Sequence, residues 1–250
     1  MLLFLHGFMG SARDWKETIE LLLPDYTCLT LDLPGHGRTG RCLDPRAYTM
    51  EGSAQAVTEV MDERGIQRCT LIGYSMGGRL ALSIAIHHPE RCTELVMESA
   101  SPGIQSAAER NERRALDEKR AQQLEHDDFE TFLRSWYNQP LFQSLKREPD
   151  LFQQILDRRR ENNPVELARS LRGTGPGVQP SLWHNLPRLE TPLLVLAGGM
   201  DLKYKRIAQE MVALCPKARL ALVPDTGHNV HAENTDEYTR ALRRFLAKQD

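Results

Sequence analysis

The 250-residue sequence predicts an α/β fold, a mainly parallel sheet covered by helices on both faces. Three observations predict it. Short apolar runs alternate with helix-patterned segments along most of the chain, the rhythm of repeated β–α units. The runs are near-continuously apolar, as strands buried on both faces must be. Gly- and Pro-bearing turns, Pro34-Gly35-His36-Gly37 and Pro224-Asp225-Thr226-Gly227, punctuate the strand exits.

In chain order, strands are expected at residues 2–6, 27–32, 69–73, 94–98, 193–197 and 219–223. Helical patterns fill residues 14–22, 46–64, 76–88, 204–214 and 235–247. Residues 102–183 break the rhythm. They hold no convincing strand and are rich in charged, helix-forming residues. There Phe129, Phe132, Trp136 and Tyr137 recur at helical steps and mark one apolar face. This stretch reads as a helical cap inserted between two strands, dividing the chain into a first core part (1–101), a cap (102–183) and a second core part (184–250). Residues 105–172 carry 13 Lys/Arg and 13 Asp/Glu, so a positive site there must arise from local placement.

Composition narrows the function classes. The 32 basic and 34 acidic residues nearly cancel, which argues against nucleic acid or an anionic membrane as partner. Cys28, Cys42, Cys69, Cys92 and Cys215 are scattered, with no CxxC pair and no Cys/His cluster, so a zinc site is not expected. They read as reduced thiols in a cytoplasmic protein. The apolar start, residues 1–5, is too short for a signal peptide or a membrane span. Oligomeric state is left open.

Gly73-Tyr74-Ser75-Met76-Gly77 matches G-x-S-x-G, directly after an apolar run and at the start of a helical pattern. In that context the pentapeptide is a strand-to-helix elbow that lifts the serine hydroxyl above the sheet. Outside it, the same five residues could be an ordinary Gly-rich turn. A serine needs an adjacent base. His228, just past the last strand in Asp225-Thr226-Gly227-His228, suits that role better than the seven other histidines. Asp201, past the fifth strand, could fix the imidazole tautomer, or could simply cap the following helix. Three strand ends giving the order Ser…Asp…His form a triad signal. Leu5-His6-Gly7-Phe8-Met9-Gly10 adds a Gly-rich exit from the first strand, where the Phe8 N–H could join the Met76 N–H as an oxyanion donor.

With these motifs and Asp32-Leu33-Pro34-Gly35-His36-Gly37, the sequence resembles the α/β-hydrolase superfamily over essentially its whole length. Members usually have two strands before the His-Gly turn, so N-terminal edge strands are expected to be missing here. A narrower resemblance rests on the elbow through Arg79, on Glu98 and Ser101 to Gln105, and on Arg110 and Arg113. Trp136 to Pro140, Arg159 with Asn162-Asn163, Val178-Gln179-Pro180 and Gly227-His228-Asn229 with His231 and Glu233-Asn234 complete it. These are similar to the 2-succinyl-6-hydroxy-2,4-cyclohexadiene-1-carboxylate synthases of menaquinone and phylloquinone biosynthesis. Those are lyases that eliminate pyruvate from a substrate with three carboxylates. The resemblance implies that Ser75, His228 and Asp201 are catalytic. It also implies that Tyr74, Arg79, Arg113, Trp136, Tyr137 and Arg159 hold the polycarboxylate, with no cofactor. Arginine suits such a substrate because its planar fork binds carboxylates bidentately and stays charged. Two rival readings remain at this stage: an ester, thioester or carbon–carbon hydrolase on the same triad, and a non-catalytic ligand-binding protein of this fold.

Overall fold

The computed structural model describes residues 1–247. Six parallel strands form one sheet: β1 (Leu2–Leu5), β2 (Cys28–Leu31), β3 (Cys69–Tyr74), β4 (Cys92–Glu98), β5 (Leu193–Gly198) and β6 (Ala218–Val223). Their order is β2-β1-β3-β4-β5-β6, so the chain first steps one way from β1 and then reverses to build the rest. All pairs are parallel, and therefore every strand presents its C-terminal end at one edge of the sheet. Open α/β sheets bind ligands outside those ends, near the point where strand order reverses.

The interleaved helices are α1 (Lys16–Leu22), α2 (Met50–Glu63) and α3 (Met76–His87). Between β4 and β5 come α4 (Ala107–His126), α5 (Phe129–Tyr137), α6 (Pro149–Arg160) and α7 (Pro164–Thr174). After β5 come α8 (Leu202–Leu214), the one-turn α9 (Val230–Glu233) and α10 (Thr235–Leu246). Strand side chains alternate between faces. Leu2 and Phe4 accordingly join Trp15, Tyr238 and Phe245 under α1 and α10. Leu3 and Leu5 join the opposite core with Leu80, Leu82 and Met211 from α3 and α8.

Small departures from the expected boundaries have local causes. The segment expected as one helix over 46–64 opens with a 3-10 turn, Pro45–Tyr48. The α-helix proper starts after Thr49, whose hydroxyl accepts from Gly52 N–H at 3.0 Å. A 3-10 turn, Ala12–Trp15, likewise precedes α1. α8 begins two residues early because the Asp201 carboxylate caps it.

The β4–β5 excursion carries no strand among its residues. It owns an apolar cluster that includes Phe132, Leu133, Tyr137, Ile155 and Leu167, into which Met9 reaches from the β1 exit. Arg172 ties α7 to α4 by bonding Glu118 and Glu125. No described helix is long and apolar enough to cross a membrane.

Candidate active site

The elbow is built by close backbone packing. Ser75, between β3 and α3, is held at φ 49° and ψ −104°, a conformation costly for a residue with a Cβ. Its amide donates to the Glu98 carbonyl at 2.8 Å, which fastens the turn to β4. The turn needs its glycines. A Cβ on Gly77 would meet the Leu5 carbonyl oxygen at 2.1 Å, and one on Gly73 would meet Gly77 carbon at 2.3 Å.

Two further strand ends complete the constellation. His228 Nδ1 lies 2.7 Å from Asp201 Oδ2, and Nε2 lies 3.2 Å from Ser75 Oγ. A carboxylate only accepts, so Nδ1 carries the proton and the Nε2 lone pair faces the serine hydroxyl. Asp201 fills both roles weighed from sequence. One oxygen takes the imidazole, and the other accepts from Tyr204 N–H at 3.1 Å as the cap of α8. The His228 loop is itself clamped, because Glu233 accepts from the amides of Gly227 (2.8 Å) and Asn229 (3.1 Å) on either side of the imidazole.

The other candidate histidines have structural partners. His6 Nε2 accepts from Leu33 N–H at 3.0 Å and Nδ1 donates to the Gly7 carbonyl at 2.8 Å, joining the β1 and β2 exits. His36, packed beside His6, is pushed down to about 3, first by burial and then by that neighbour. His231 is buried against Glu98, with Nδ1 2.7 Å from the carboxylate.

Ser75 and His228 open into a cavity of about 520 Å³. Phe8 and Met76 line it, as do all six side chains expected to hold substrate: Tyr74, Arg79, Arg113, Trp136, Tyr137 and Arg159. The arginines differ in their surroundings. Arg79 is 7% exposed and gives one nitrogen to two neutral acceptors, the Thr174 carbonyl (2.6 Å) and Gln179 Oε1 (3.0 Å). It has no carboxylate partner among the described residues, and burial pushes it down to about 10. Arg113 is paired with Asp117 at 2.7 Å. Arg159 is buried, 2.8 Å from Asp14, and donates to the Tyr137 hydroxyl at 3.0 Å. Burial alone would raise Asp14, but Arg159 outweighs it and holds the carboxyl below its ordinary value. Of the clustered arginines, Arg110 instead binds carbonyls of its own chain at Ile104 and Gln105, and Arg160 pairs with Glu130 away from the cavity.

Sequence reasoning missed several wall residues, among them Arg120, Gln139, Phe142, Lys203 and Tyr204, and missed Asp14 as the counter-ion of Arg159. A signal for Arg120 existed. It stands seven residues after Arg113 on α4, two helical turns along the same face. No sequence pattern announces Asp14, which lies 145 residues from its partner.

A sequence profile of the alpha/beta hydrolase fold matches residues 1–235. A Bacillus subtilis protein named provisionally as a 2-succinyl-6-hydroxy-2,4-cyclohexadiene-1-carboxylate synthase is 39% identical, with 97% of this chain and 88% of that protein covered. The synthase of that name from Serratia proteamaculans is 32% identical, covering 98% of this chain and 92% of its own length. The chain belongs to this synthase family of α/β hydrolases. A solved structure of MenH from S. aureus superposes with a TM-score of 0.94 at 36% identity, covering 99% of this chain and 93% of that one. Membership makes the chain an enzyme.

Proposed function

We propose that this enzyme eliminates pyruvate from 2-succinyl-5-enolpyruvyl-6-hydroxy-3-cyclohexene-1-carboxylate, the lyase step of menaquinone or phylloquinone biosynthesis, in the cytoplasm. The observation that carries the reading is Arg79. A buried guanidinium without an internal anion is costly, and a substrate carboxylate in the adjoining cavity offsets that cost. An esterase acting on apolar acyl chains gains nothing from it.

The triad performs the proton chemistry. Asp201 holds His228 with its Nε2 lone pair toward Ser75, and the imidazole takes the hydroxyl proton. The serine oxygen removes the ring C2 proton, made acidic by the neighbouring succinyl carbonyl. Negative charge builds on that carbonyl oxygen, where the Phe8 and Met76 N–H groups stabilise it by about 3–4 kcal/mol each. The electron pair returns through the C3–C4 double bond and breaks the C5–O bond to the enolpyruvyl group. The departing enol takes up a proton and tautomerises to pyruvate, leaving the 2,4-diene. The residues 102–183 act as a cap that keeps water from the carbanion-like intermediate.

Coupled assay of pyruvate release from the enolpyruvyl substrate tests this. The wild-type protein is expected to release pyruvate, and Ser75→Ala to lose at least about a thousandfold in rate. No pyruvate from the wild type, or an undiminished rate in the variant, overturns the reading. A burst of nitrophenol from nitrophenyl acetate without pyruvate release would point to the hydrolase chemistry instead.

A further inference from the structure

The cavity wall carries five cations: Arg79, Arg113, Arg120, Arg159 and Lys203. Two have carboxylate partners, Arg113 with Asp117 and Arg159 with Asp14. Asp117 is fully used, since its second oxygen accepts from the Gly177 amide at 3.2 Å. The wall's single carboxylate among the described residues, Asp201, is taken by His228 and the α8 amide. Arg79, Arg120 and Lys203 therefore face the cavity with no carboxylate within ion-pair distance among the described residues.

From this charge balance we propose that Arg120 and Lys203 are two further carboxylate anchors, which with Arg79 give three uncompensated cations for the three carboxylates of the substrate. The inference rests on the function proposed above and adds the residues that set its specificity.

The geometry supports each anchor. Arg120 reaches in from α4 with its guanidinium 4.9 Å from the centroid of the Trp136 ring, a cation–π arrangement that orients the planar fork. One nitrogen donates to Gln139 Oε1 at 2.7 Å, a neutral partner that leaves the charge unmatched. Lys203 comes from the first turn of α8, two residues after Asp201, its Nζ 5.4 Å from the Tyr204 ring centroid. Burial and then the nearby Arg113 charge push half-buried Arg120 below its ordinary value, and the same two causes act in the same direction on Lys203, although that residue is exposed overall. Arg113 acts in the same direction on Arg79, so these groups share one crowded positive field that an entering anion relieves. Tethering the anchors to aromatic rings limits the side-chain freedom lost when a carboxylate is bound.

Equilibrium binding of the enolpyruvyl substrate to Ser75→Ala protein, followed by calorimetry, reads this without turnover. Adding Arg120→Met is expected to raise Kd about tenfold, and adding Lys203→Met about threefold to fivefold. Arg120→Lys should recover most of the loss. The dependence of Kd on salt should become shallower in both Met variants, which a purely structural role for the side chains would not produce. Arg114→Met, on an exposed position of the same helix, serves as control and should leave Kd within twofold. Unchanged affinity and salt dependence in Arg120→Met and Lys203→Met overturn the inference, even where the wild type releases pyruvate. Absence of pyruvate release with affinities changed as stated would sink the lyase reading and leave the anchors standing.

Discussion

The two halves of the site are held by different physics. The triad sits on strand ends, and each member is fixed by backbone: Ser75 by a strained turn locked to β4, Asp201 by the α8 amide, His228 by amides clamped on Glu233. The cationic wall is carried largely by helices of the β4–β5 excursion and reaches the cavity on long side chains. Position in the first half follows from covalent and hydrogen-bond geometry. In the second it follows from which side chain finds a counter-ion. The lesson is that arginines sharing one wall differ in their partners: Arg159 joins α6 to the β1 exit through Asp14, whereas Arg79 bonds only neutral acceptors, the Thr174 carbonyl and Gln179, which is the ground for proposing that its charge serves a ligand.

That division can be broken on a stability axis. The largest effect is expected for Arg159→Met, which leaves buried Asp14 with Arg158 at 3.3 Å as its remaining arginine and the Ser11 amide at 3.3 Å. Removing one member of a buried pair costs about 3–5 kcal/mol, with Arg158 holding the loss toward the lower end. Urea unfolding at pH 7 measures it, and a loss under about 1 kcal/mol would show that the pair does not join the two regions.

A second effect, nil at pH 7 and developing only in acid, is expected on the sheet side. His36 is depressed to about 3 in the folded protein from an ordinary 6.5. Between those values the unfolded chain binds one proton more than the folded one, so this group's contribution is complete above pH 6.5 and declines as pH falls toward 3. The slope is about 1.4 kcal/mol per pH unit for each such proton. His36→Asn should flatten the acid limb of stability between pH 6 and 4, while an unchanged limb would mean that His36 titrates normally when folded.

The same contrast explains what the sequence disclosed. Strand positions, the elbow and the order of the triad were legible because each depends on a local pattern: apolar runs, glycines where backbones touch, polar residues at strand exits. Gly77 is an example, since only a missing Cβ allows α3 to approach the Leu5 carbonyl. The arginine wall was legible only as a family resemblance. Charge in residues 105–172 is balanced, and pairing across long separations decides which cations stay free. Arg113 and Arg120 lie on one helical face, yet Asp117 satisfies the first and not the second. Asp14 was hidden for the same reason. Nothing near it in the chain marks a buried carboxylate waiting for α6.

The central claim, that Arg79 is kept unpaired for the substrate, meets its most direct test in Arg79→Met, measured for both stability and turnover. Stability is expected to stay within about 0.5 kcal/mol of wild type or to rise, because an unmatched buried charge is replaced by an apolar chain of similar length. Pyruvate release should fall roughly a hundredfold, with hydrolysis of a neutral ester, where present, little changed. Loss of several kcal/mol of stability together with intact pyruvate release would show Arg79 to be a structural residue and contradict the account.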